Sequence, residues 1–71
     1  MNENSIVFRL IFEQGVPVFL IAKALKTNEA EIYRYLNGEK IPSEVEARLK
    51  RFYQDLYEMD KVQNLPNNQS G

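Results

Sequence analysis

Few side chains in this sequence are equipped for covalent or acid–base chemistry. The 71 residues contain no cysteine and no histidine, which removes thiolate nucleophiles, disulfides, the usual general base and the commonest metal ligand together. Glu29 and Glu31 stand close in sequence, but residues two apart on a helix point in different directions and cannot share a substrate. Ser5 and Ser43 read as helix caps, with no base at a triad-like spacing. No glycine-rich phosphate loop or metal-ligand spacing is present. The expectation is a protein that is not an enzyme and carries no cofactor and no metal, whose chemistry is non-covalent recognition.

The stretch that would present such recognition is Ile21 to Gly38, IAKALKTNEAEIYRYLNG. It reads as two short helices joined by a tight turn, with Ile21, Ala22 and Leu25 on one apolar stripe and Ile32, Tyr35 and Leu36 on the other. Ala22 is small where the helices must cross closely. Asn28 is placed to cap the second helix, with Glu31 three residues on as the other half of a capping box.

Around this pair the chain supplies support. Met1 to Asn4 is expected to fray, and Asn4 or Ser5 to cap a first helix reaching about Gln14. Ile6, Val7, Leu10, Ile11 and Phe12 would form its broad buried face. Gly15 stops it as a left-handed cap, and Pro17 opens the next helix. Asn37-Gly38 closes the second motif helix, and the loop to Pro42 is polar apart from Ile41. Ser43 and Glu46 form a capping box at the head of a long last helix running to about Val62. Val45, Leu49, Phe52, Leu56 and Met59 recur at steps of four and three, with Tyr53 and Tyr57 on one flank. The first half of that seam completes the core. Its second half, Phe52, Leu56 and Met59, is either a solvated extension or an association surface. Domain organisation is therefore one helix-turn-helix domain over 1–63 and a tail, 64–71, of disordered composition.

Charge bounds the partners. The net charge is −1 and the sequence pI near 5.3, whereas proteins that bind DNA alone usually carry a lysine- and arginine-rich stripe. Residues 1–15 hold one positive and two negative groups, 16–42 four and three, and 43–71 four and five, so no segment is basic. No apolar run approaches the ~18 residues of a membrane span, and no signal peptide is evident. A soluble cytoplasmic protein with no membrane partner is expected.

The stretch VPVFLIAKALKTNEAEIYRYLNGEKIP resembles the phage repressor and Cro type of helix-turn-helix. The similarity rests on Ala22 in the first motif helix, Ile32 and Tyr35 in the second, Asn37-Gly38 at its end and Pro42-Ser43 before the next, and spans about residues 6 to 60. It implies a compact all-α fold of four or five helices; four are counted here. It also implies that the start of the first motif helix and the exposed side of the second face the partner or DNA: Val18 and Phe19, then Asn28, Glu29, Ala30, Tyr33 and Arg34, with Glu31 close by. Arg34 would suit a guanine edge, Asn28 an adenine, and Asn37 or Lys40 a phosphate. Two departures matter. Val18 and Phe19 cannot donate to a phosphate, and Glu29 is repelled by one. The family often has glycine where Lys26 stands, so a lysine is expected near positive φ at a cost of ~1 kcal/mol or more.

The resemblance thus implies a helix-turn-helix regulator of a phage-type genetic switch. Its apolar and acidic departures favour docking on the DNA-binding domain of a partner repressor, as an antirepressor or modulator of repression, with weak or shared DNA contact. The alternative is an autonomous sequence-specific DNA-binding repressor of the Cro type, a homodimer through its last helix reading two half-sites. Exposed Tyr33 and a lone arginine are what protein interfaces enrich.

Overall fold

The computed structural model describes residues 3–63, and side-chain burial for 4–59. Its described residues are helical apart from short connections: α1 (Glu3–Phe8) runs into a π-helical turn (Arg9–Glu13), followed by α2 (Val18–Leu25), α3 (Glu29–Leu36) and the long α4 (Ser43–Gln63). The protein is all-α. Helices α1 and α2 each pack on both α3 and α4, and α2 and α3 are the helix-turn-helix pair. No helix among the described residues is long and apolar enough to cross a membrane.

The core is drawn from every element. Val7, Leu10, Ile21, Leu25, Ile32 and Leu49 are fully buried, with Ala22, Tyr35 and Ile41 nearly so. Ala22 lies in this core on the face of α2 shared by Ile21 and Leu25, as a close helix crossing requires. Ile41 anchors the otherwise exposed loop between α3 and α4, which explains one apolar residue in a polar connection.

Three helix ends are closed by residues of positive φ, two of them glycines: Gly15 at φ 70°, Lys26 at φ 57° and Gly38 at φ 101°. After α2 the Thr27 N–H reaches back to the Ala22 carbonyl at 2.9 Å, and after α3 the Glu39 N–H reaches the Arg34 carbonyl at 3.0 Å. Both are the long return bonds of a Schellman ending. A Cβ at Gly15 or Gly38 would meet nothing within 4 Å, so backbone angle rather than space selects glycine there. Lys26 takes the same left-handed geometry with a side chain attached, as the resemblance implied.

The first helix departs from expectation in three ways. Glu3 and Asn4 are helical rather than frayed, and Asn4 is not a cap: its Nδ2 donates to the Tyr35 carbonyl at 2.6 Å and the Glu39 carbonyl at 3.0 Å. That side chain ties α1 to the end of α3, where unpaired carbonyls need donors. The last turn is wide, with Gln14 N–H bonded to the Arg9 carbonyl at 2.8 Å and Val16 N–H to the Leu10 carbonyl at 2.8 Å. Phe12, expected in the buried face, is 62% exposed beside Phe8 at 50%. Val7 and Leu10 already fill the side toward the core, leaving these two rings on the opposite side.

At α4 the first helical bond runs from Glu46 N–H to the Pro42 carbonyl at 2.8 Å. Pro42 therefore occupies the position before the helix, and Ser43 lies one residue inside its expected capping place. Arg48 extends Nη1 to 3.5 Å from the Leu25 carbonyl at the end of α2. Tyr53 first, then nearby Glu13, holds the Arg9 guanidinium above its ordinary pKa, which places Arg9 beside the last helix. The tail at 64–71 lies outside the described residues.

Candidate recognition surface

The outward side of the helix-turn-helix is built by residues left over once its core stripes are satisfied. On α2, Ile21, Ala22 and Leu25 point inward, so Phe19, Leu20 and Lys23 fall on the far side; Phe19 is 56% exposed and Leu20 42%. Val18 does not join them fully. It is half-buried and packs against the core, so the apolar head of α2 is Phe19 with Leu20 rather than Val18 with Phe19. Leu20 escaped the sequence reading because VFLIA is apolar on every side of the helix, and periodicity cannot tell which residue of such a run stays outside.

On α3, Ile32 and Tyr35 are buried, and Glu29, Ala30, Tyr33 and Arg34 are exposed. Asn28 stands at the head, where its Oδ1 accepts the Glu31 N–H at 2.9 Å; it is a helix cap, as expected. Glu31 is half-buried and its carboxylate binds the Arg34 guanidinium one turn on. Tyr35 is nearly fully buried, and burial first, then the nearby Glu31 carboxylate, pushes its phenol above its ordinary pKa. Asn37 and Lys40 are both exposed beyond the end of α3. Asn37 spends its backbone N–H on the Tyr33 and Arg34 carbonyls.

Two consequences follow for recognition. Arg34, the arginine best placed for a base edge, is engaged by Glu31 and would have to leave it to reach a guanine. The exposed groups that remain on the two motif helices and at the end of the first are aromatic and aliphatic at Phe19, Leu20, Ala30 and Tyr33, anionic at Glu29 and cationic at Lys23 and Lys26. Polyanion recognition calls for a cationic array; here the exposed lysines, Lys23 and Lys26 with Lys40 beyond α3, are interspersed with large apolar side chains and the Glu29 carboxylate.

The suggested association stripe on α4 is mostly consumed by the fold. Phe52 and Leu56 are half-buried against the core, whereas Met59 is 58% exposed and Tyr57 61%. Seam periodicity continues through all three stripe positions, but the packed elements end short of Met59. Compared with models of known families, with characterised proteins and with solved structures, the chain finds no match.

Proposed function

We propose that this chain is a helix-turn-helix regulator of a phage-type genetic switch that acts by docking on the DNA-binding domain of a partner repressor. The observation that carries this reading is the exposure of Phe19, Leu20 and Tyr33 on the outward sides of α2 and α3, where a DNA reader would hold polar and basic groups. Exposed aromatics at a concentrated site are the usual anchors of protein interfaces. Glu29 supplies a carboxylate that a repressor's basic reading helix accepts in place of phosphate, which adds complementarity of sign. Occupying that helix removes the repressor from its operator.

The test is a calorimetric titration against the DNA-binding domain of any repressor whose gene adjoins that of this chain, run in parallel with gel shifts on the DNA between the two genes. A one-to-one complex at micromolar concentration is expected, weakened at least about tenfold by Phe19→Asp or Tyr33→Ala, since truncating an interface anchor costs about 2 kcal/mol. Both residues are exposed, so circular dichroism melts should change little. Absence of a complex, together with a salt-sensitive shift of a palindromic operator by this chain alone, would replace the reading with autonomous Cro-type DNA binding.

A further inference from the structure

We propose that the outward ridge of the first helix, Phe8 and Phe12 flanked by Arg9 and Glu13, is a self-association surface on which a second copy of this chain packs antiparallel about a two-fold axis. The two rings lie 4.8 Å apart, tilted by 40°, and are 50% and 62% exposed. They face away from Val7 and Leu10, so nothing in the fold requires phenylalanine here. The wide π turn contributes, because a turn of more residues brings position i+4 closer to directly above position i.

The occupant follows from the charges beside the rings. Arg9 and Glu13 form an ion pair at 3.9 Å, near the loose limit, with side chains 43% and 57% exposed. In a two-fold pairing each contact occurs twice, residue i on j and j on i. An antiparallel partner centred on residue 11 sets Arg9 of each copy opposite Glu13 of the other and brings the two Phe12 rings together, with Phe8 beyond them. The ridge is thus complementary to itself in sign, with an apolar pair beside the charges. A uniformly acidic or basic partner would meet one attractive and one repulsive group.

The ridge is small. Two half-exposed rings per copy fall short of the roughly 800 Å² per partner of a standard stable interface, so the dimer is weak and concentration-dependent. It uses a helix outside the α2–α3 pair and stands independently of the proposed docking on a repressor.

Sedimentation equilibrium of the full chain from about 10 μM to 1 mM tests it, on the scale where weak interfaces assemble. The wild type should move from monomer toward dimer mass across that range, and Phe12→Gln should remain monomeric. Arg9→Glu alone and Glu13→Arg alone should each be monomeric, while their equimolar mixture recovers dimer mass, since one copy then offers two carboxylates to two guanidiniums on the other. The mixing step separates association from any effect on the internal Arg9–Glu13 pair, which mixing cannot repair. A wild type monomeric throughout, a Phe12→Gln variant that still dimerises, or a mixture that stays monomeric would each overturn the proposal.

Discussion

Lys26 shows how one residue can be held against its own preference. The left-handed conformation costs an L-residue roughly 1–2 kcal/mol, and Lys26 adopts it at φ 57°, ψ 47° because the turn between α2 and α3 must close in three residues. Glycine would remove the steric cost but lose more freedom on folding, about 0.5–1 kcal/mol. Lys26→Gly should therefore stabilise the protein by about 0.5–1 kcal/mol, read as a higher urea midpoint with an unchanged slope. A lower midpoint would mean that the lysine side chain itself supports the turn. The same balance explains why this position was legible from resemblance to a glycine-bearing turn. Asn28 was legible for a different reason: its side chain acts within one helical turn, and local bonds leave a local signature.

Among elements, the α2–α3 pair follows directly from its stripes, because each helix has one apolar face and two such faces can be buried only against one another or the core. Ala22→Leu should overpack that core and cost about 1–3 kcal/mol, measured by thermal melt; no change would place the helix crossing elsewhere. The first helix was less legible. Five residues, RLIFE, are too few for a period to distinguish a π turn from an α turn, and Phe12 reads as core in either. Asn4 was misread because capping is a local inference, whereas its bonds run to residues 31 and 35 positions away. Arg48 near the Leu25 carbonyl has the same character: a long side chain meeting a helix end that only the assembled fold brings near. On the recognition surface, the exposed side of α3 was legible by elimination from Ile32 and Tyr35. The Arg34–Glu31 pairing, which changes what that side can bind, was not, since spacing permits an ion pair without requiring it.

Stability against pH belongs to the whole molecule, because folding couples every titrating group to one equilibrium. Tyr35 is 3% exposed and its hydroxyl is held above the ordinary value of 10.0 by burial and by Glu31. The folded state thus keeps a proton that the unfolded chain releases first. Its contribution is fully present below pH 10 and is lost as pH climbs through the raised value. Thermal melts between pH 7 and 11 should show a fall beginning near 10, and Tyr35→Phe, with no proton to lose, should flatten that part of the profile while lowering stability at neutral pH. Parallel profiles for the two proteins would exclude Tyr35 as the cause. At this scale the negative net charge was plain in the composition; which apolar residues stay outside was not, because composition counts side chains without orienting them. The wide turn at Arg9–Glu13 has an evolutionary corollary. It contains one residue more than regular winding needs, so the loss of a single codon there, Phe12 above all, can be absorbed by tightening the coil while Val7 and Leu10 keep their seats. Descendants of this chain have a one-step route to shedding an aromatic side chain without dismantling the fold, a freedom denied to every tightly wound segment around it.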